Sequence, residues 1–151
     1  MTRRTRGWIH ASSLAVPGRA GDDQRILYEI EHNVEGFERI LLCRLLTQQF
    51  ARSRLMPRAM YLFGQEADRL AQTLSERAGR RLASVSTSGT SLRDYYLSDV
   101  GLDRFSKLGV IFNYDESRGE FAYDGKVYRE LIKRFPHTDE AKLARQRLES
   151  N

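Results

Sequence analysis

The sequence predicts a mainly α-helical fold in which two helical hairpins flank a small β-hairpin or ordered loop. Three observations lead to it. Apolar residues recur at spacings of three and four along residues 23–50 and again along residues 55–83. An alternating pattern replaces that period within residues 109–123. The helical period then returns near the C-terminus.

These patterns divide the chain into an N-terminal tail and a helical domain. Residues 1–21 form a strand-like tail and linker, because a short β-like run is followed by Pro and Gly. Residues 22–151 form the helical domain. Its parts are a helical hairpin at residues 22–83, an irregular insert containing the β-hairpin at residues 84–125, and a second helical hairpin at residues 126–151.

The first helical hairpin has clear start signals. Asp22 and Asp23 supply an N-cap and a favourable negative charge for the first helix. Gly36 lies inside its apolar stripe and costs about 1 kcal/mol relative to Ala, so a bend or break near residues 33–36 is one outcome. Pro57 is tolerated only in the first turn of a helix and therefore fixes the second start. The short link predicts that the two helices pack antiparallel.

The insert begins with the polar stretch at residues 84–91, followed by a brief helix expected at residues 92–97. Val110, Phe112 and Tyr114 then alternate with other residue types, and turn residues follow at 115–119. This pattern predicts a β-hairpin or an ordered loop of similar shape.

The C-terminal stretch predicts a second pair of helices. Tyr128, Leu131 and Phe135 lie on one helical face, and Pro136 ends that helix. Thr138 is positioned to cap the returning helix. The inward-facing residues of that helix are expected to be Ala141, Ala144 and Leu148.

Two stretches of sequence resemble parts of the tetratricopeptide-repeat family. YRELIKRFPHTDEAKLARQRLE (Tyr128–Glu149) resembles the second helix of one repeat, the Pro turn and the first helix of the next. QFARSRLMPRAMYLFG (Gln49–Gly64) is similar, although Ala51 stands in place of the turn proline. The resemblance is to variants found in bacterial envelope proteins. It implies helical hairpins that pack through small residues.

The start of the chain carries a second resemblance. RGWIHASSLA (Arg6–Ala15) is similar to the last strand and closing turn of a bacterial Src-homology-3-like domain. The alternative is a tail strand packed on the helices. If the chain is the C-terminal part of a longer protein, the resemblance implies the periplasm or cell envelope; otherwise the expected compartment is the cytoplasm.

No catalytic, cofactor-binding or metal site is predicted. His10, His32 and His137 lie in different elements, without a Cys or carboxylate at ligand spacing. Glycines occur singly and never as a phosphate-binding loop. Cys43 lies among leucines, which favours a small buried thiol over a reactive one. No apolar run approaches the roughly 20 residues that a membrane-spanning helix needs.

The predicted function is a non-catalytic protein–protein interaction or scaffolding module with a protein or peptide partner. Aromatic residues in the acidic stretch 95–123 either wedge the helical hairpins together or line a peptide groove. The candidate partner-binding residues are Tyr95, Tyr96, Phe105, Phe112 and Tyr114.

The alternative is a nucleic-acid or anionic-surface accessory protein. It rests on the net charge of +5, the pI of about 9.6 and the cluster Arg77, Arg80 and Arg81. Cations at the C-terminal end of a helix also complement the helix dipole, so the cluster does not require a nucleic acid. A nucleic-acid partner is therefore the less favoured prediction.

Overall fold

The computed structural model describes residues 15–16, 19–82 and 102–150. Within them it contains six helices and one two-stranded antiparallel sheet. These elements are α1 (Asp22–His32), α2 (Gly36–Gln49), α3 (Met56–Leu82), α4 (Leu102–Lys107), β1 (Phe112–Asp115), β2 (Glu120–Tyr123), α5 (Lys126–Arg134) and α6 (Asp139–Glu149). The predicted mainly α fold with a small β-hairpin is confirmed.

The insert contains one helix that the sequence did not predict. α4 has Asp103 in its first turn and Lys107 in its last, which suits the helix dipole. Arg44 of α2 fixes the end of α4, because its Nη1 donates to the carbonyl of Leu108 at 2.9 Å. The brief helix predicted at residues 92–97 lies outside the described residues, as does most of the strand-like tail.

The prediction of a single helix at residues 23–50 is wrong in one respect, because the structure divides this range into α1 and α2. The backbone N–H of Asn33 donates to the carbonyl of Glu29 at the end of α1. Gly36 then starts α2 with φ of 64°, a left-handed conformation that glycine adopts without a steric penalty. The sequence had left a bend or break near Gly36 as one outcome, and the structure contains the break.

Asp22 is not the N-cap that the sequence suggested. The N-cap of α1 is Gly21, with φ of 85° and no side-chain cap, and Asp22 is the first helical residue. Asp22 is 2% exposed, and its carboxylate accepts the N–H of Val16 at 2.8 Å. Asp22 thus ties the preceding chain to α1, and the favourable negative charge in the first turn is confirmed.

The turns between α2 and α3 and between α5 and α6 share a pattern of hydrogen bonds. Phe50 N–H donates to Leu46 O at 3.0 Å, and Phe135 N–H donates to Leu131 O at 2.9 Å. Three residues later, Ser53 and Thr138 each donate a backbone N–H to the carbonyl of that phenylalanine. Their hydroxyls then accept a backbone N–H near the start of the next helix, and for Thr138 this is the predicted cap.

α3 is the central element of the described structure. It contacts α1, α2, β2, α5 and α6, and all of these share one hydrophobic core. α2 runs antiparallel to α3, because only residues 50–55 separate them and they pack along their lengths. The alanines of α3 that face the core are Ala59, Ala67, Ala71 and Ala78.

The β-hairpin is fixed between α3 and α5. Its register pairs Phe112 with Tyr123 and Tyr114 with Phe121. Phe121 N–H donates to Oγ of Ser75 on α3 at 2.7 Å. The hydroxyl of Tyr123 accepts the N–H of Val127 at 2.9 Å and so caps the first turn of α5.

Four of the six apolar residues predicted to face inward in the last helix pair are buried, and Ala141 is one of them. Tyr128, Leu131 and Ala144 are buried together in the core. Phe135 and Leu148 are only partly buried against it, because both lie at the edge of the pair.

Candidate interaction cleft

A cleft of about 340 Å³ opens between the start of α2, the middle of α3 and α4. We call it the arginine cleft. It is defined by Glu35, Phe37, Arg69, Arg77, Arg104 and Phe105. Because three separate helices contribute to it, no single stretch of sequence contains the site.

Aromatic rings form the floor of the arginine cleft. The rings of Phe37 and Phe105 meet edge to face, with centroids 5.4 Å apart. The guanidinium carbon of Arg104 lies 4.6 Å from the centroid of Phe37 and 5.1 Å from that of Phe105. This cation–π contact holds the charge of Arg104 at the cleft.

A buried carboxylate behind the cleft fixes its walls. Glu66 is 1% exposed, and its Oε1 accepts the N–H of Gly36 at 2.6 Å and Nη2 of Arg69 at 2.6 Å. Nη1 of Arg39 reaches its other oxygen at 3.2 Å. Burial acts to raise the pKa of Glu66, but the hydrogen bonds from Arg69, Gly36 and Arg39 outweigh burial and hold that pKa below its usual range.

Arg39 connects this carboxylate to the end of α1. Its Nε donates to the carbonyl of Ile30 at 2.7 Å, and its Nη1 pairs with Glu66. Arg39 therefore supplies a hydrogen-bond donor to a terminal carbonyl of α1, and Glu66 supplies an acceptor to the first N–H of α2. Together they fix the break between the two helices, which places Glu35 and Phe37 at the cleft.

The cleft carries an excess of positive charge. Glu35 is the one carboxylate among its six defining residues; it pairs with Arg69 at 3.3 Å, and its side chain is 79% exposed. Arg77 and Arg104 make no ion pair with any residue in the part of the chain that the structure describes. Two exposed guanidinium groups consequently face the cleft without an ion pair to any described residue.

The three predicted partner-binding residues that the structure describes, Phe105, Phe112 and Tyr114, do not form an exposed surface. Tyr95 and Tyr96 lie outside the described residues. Phe105 and Phe112 are buried, with ring centroids 5.7 Å apart. Tyr114 is half-buried beside Phe121, at a centroid distance of 4.9 Å. Of the three predicted residues that the structure describes, Phe105 alone lines the arginine cleft.

Sequence reasoning singled out Arg77 for its cluster but missed the other cations of the cleft. Arg69 lies two turns before Arg77 on the same helix, so their spacing was a usable signal. Arg104 belongs to α4, which the sequence did not predict. No local pattern connects Arg104 with Arg77, because they meet only through tertiary packing.

The chemistry available at the cleft is recognition. Arginine stays protonated and only donates hydrogen bonds, so these side chains bind anions and abstract no proton. Within residues 15–16, 19–82 and 102–150, no three His, Cys, Asp or Glu side chains are grouped so as to hold a metal ion. None of the described helices is long and apolar enough to cross a membrane.

Compared with protein-family models, with curated proteins and with solved structures, the chain shows no match.

Proposed function

We propose that this protein is a non-catalytic protein–protein interaction or scaffolding module that presents the arginine cleft to a protein partner. The observation that carries the proposal is the pair of exposed guanidinium groups, Arg77 and Arg104, which line one cleft and make no ion pair with the residues that the structure describes, Arg104 lying beside aromatic rings. Arginine and aromatic side chains are enriched where protein interfaces contribute most of their binding energy.

The rigidity of the cleft supports this function. Phe105 belongs to the hydrophobic core, and Glu66 fixes the start of α2 through the N–H of Gly36. A binding surface that is already ordered loses less conformational entropy when its partner arrives. The walls of the cleft are in this sense preorganised.

Exposed leucines on α2 provide further contact area. Leu41 is 43% exposed and Leu45 is 36% exposed. Phe37, Leu41 and Leu45 are spaced four residues apart, so they follow one side of the helix away from the cleft. A helix with apolar residues on all sides is typical of a buried element, and a partner that covers this row would complete its burial.

A bacterial envelope setting belongs to the same proposal. It is supported by the resemblance of residues 49–64 and 128–149 to tetratricopeptide hairpins, and by the barrel-strand resemblance of residues 6–15. The shared hydrogen-bond pattern of the turns at Phe50 and Phe135 is compatible with hairpins of that type.

The test is affinity capture from extracts of cells that express the protein, followed by quantitative mass spectrometry. The wild type is compared with the double variant Arg77→Glu, Arg104→Glu and with the matched control Arg80→Glu, Lys107→Glu. Each control residue is exposed and shares a helix with the residue it controls, but lies outside the cleft. We expect a protein retained by the wild type and the control and lost from the cleft variant, and a binary complex when that protein is purified.

The nucleic-acid alternative makes a different prediction. A basic helix end would lose affinity equally when Arg77 or Arg80 is reversed, and binding would fall steeply with salt. Several cations on other faces are paired with acids, as in Arg58 with Glu31 at 2.8 Å and Arg147 with Asp68 at 2.8 Å. This local neutralisation favours a defined cleft over an extended basic face.

A further inference from the structure

We infer that the partner of the arginine cleft is an acidic peptide segment, with carboxylates that pair with Arg77 and Arg104 and an apolar or aromatic side chain between them. This inference rests on the proposed interaction function and goes beyond it by naming the chemistry of the partner.

The charges of the cleft indicate carboxylates. Arg69 already pairs with the buried Glu66 at 2.6 Å and with Glu35 at 3.3 Å, so it is largely occupied. Arg77 and Arg104 have no such partner among the described residues. A guanidinium group offers a planar fork of donors that fits a carboxylate with two parallel hydrogen bonds.

The orientation of Arg104 leaves its donors available. Its guanidinium carbon lies within 5.1 Å of the centroids of Phe37 and Phe105. Arg104 donates no hydrogen bond to the residues that the structure describes, so its N–H donors remain available beside the rings. The rings therefore position a cation that still has its full capacity for a carboxylate.

The remaining walls indicate an apolar side chain. Leu70, Leu74 and Phe105 line the cleft beside the arginines. The volume of about 340 Å³ is at the lower end of ordinary ligand pockets and accommodates a few side chains. A short acidic and aromatic peptide satisfies both the cations and the apolar wall, whereas the phosphates of a nucleic-acid backbone would satisfy the cations alone.

The experiment is fluorescence anisotropy of the full-length protein with a labelled peptide of four Glu-Phe-Asp repeats. The comparison probes are the same peptide with Gln and Asn in place of the acids, and a single-stranded oligothymidylate of equal charge. We expect the wild type to prefer the acidic peptide. Loss of a charge-assisted pair should weaken binding about tenfold in Arg77→Gln and in Arg104→Gln.

Matched variants distinguish specific binding in the cleft from nonspecific electrostatic attraction to the basic protein. Arg80→Gln and Lys107→Gln remove the same charge from the same helices outside the cleft and should change affinity by less than about twofold. Glu35→Gln removes the carboxylate that competes for Arg69 and should strengthen binding about threefold. A gain of affinity cannot result from misfolding, so this variant keeps the inference falsifiable.

The following results would overturn the inference. They are equal binding of the neutral peptide, equal losses in the control variants, preference for the oligothymidylate, or no binding by the wild type. Binding that appears only after Asp94→Asn and Asp99→Asn would place a segment of this chain in the cleft and also overturn it. A captured partner that depends on Arg77 and Arg104, combined with no binding of the acidic peptide, would leave the proposed function standing.

Discussion

The ring of Tyr128 lies directly on the backbone of Gly64. A Cβ atom added to Gly64 would be 2.8 Å from Cδ1 of that ring and closer still to two of its other atoms. Tyr128 is 1% exposed, and its hydroxyl donates to Asp68 at 2.9 Å. Arg147 reaches the same carboxylate oxygen at 2.8 Å. The ring is therefore fixed on both sides, and α3 and α5 approach closely because residue 64 has no side chain.

The first prediction is that Gly64→Ala destabilises the protein although it raises helix propensity. Propensity alone favours Ala by about 1 kcal/mol. Overlap with a fixed buried ring costs about 1–3 kcal/mol, and we expect this cost to prevail. The control is Gly79→Ala in the same helix, where an added Cβ meets nothing within 4 Å and should stabilise by up to about 1 kcal/mol. Urea melts measure both, and equal stabilisation would show that the ring moves aside.

The second prediction concerns the pH dependence of stability. Because hydrogen bonds outweigh burial and lower the folded-state pKa of Glu66, its stabilising effect is present above the unfolded pKa of about 4.3. That effect is lost as the pH falls through the folded-state pKa. We expect the wild type to lose stability steeply below about pH 4 and Glu66→Gln to lose less there. Subtraction of the two curves removes the contributions of Asp115 and Asp139, whose lowered pKa values both proteins share.

At neutral pH, Glu66→Gln should cost about 3 kcal/mol, because Arg39 would remain half-buried without its carboxylate. Glu130→Gln is the control, since its pair with Arg134 at 3.2 Å is exposed and should contribute less than about 1 kcal/mol. Similar costs for the two variants would contradict the assigned role of Glu66.

Sequence patterns predicted the helices and strands better than the tertiary contacts between them. Pro57 and Thr138 located helix starts because their effects act within one turn. The sequence could not decide whether the helix breaks at Gly36, since the carboxylate that fixes the break lies thirty residues away on α3. The cleft was not predictable, because Arg104 meets Phe37 across sixty-seven positions and no local spacing encodes that contact.

The third prediction is that Cys43 is chemically inert in the folded protein. Burial raises the pKa of its thiol to about 12, so almost no thiolate exists near neutral pH. A disulfide reagent at pH 8 should modify the folded protein at least about a hundredfold more slowly than the protein in urea. Equal rates in the two conditions would mean that the core around α2 opens freely.

The fourth prediction concerns two apolar residues, Leu131 within α5 and Phe135 at its C-cap. It ranks the cost of truncating each of them by its burial. Leu131 is fully buried, so Leu131→Ala should cost about 3 kcal/mol in transfer and cavity terms. Phe135 is larger but only partly buried, and Phe135→Ala should cost about 2 kcal/mol because part of its ring already contacts water. Lys133→Ala is the control on the exposed side of the same helix and should stay within about 0.5 kcal/mol. Urea melts of the three variants give the ranking. If Leu131→Ala cost no more than Lys133→Ala, α5 and α6 would be a solvated appendage, and the close approach of Tyr128 to Gly64 would not hold them to α3.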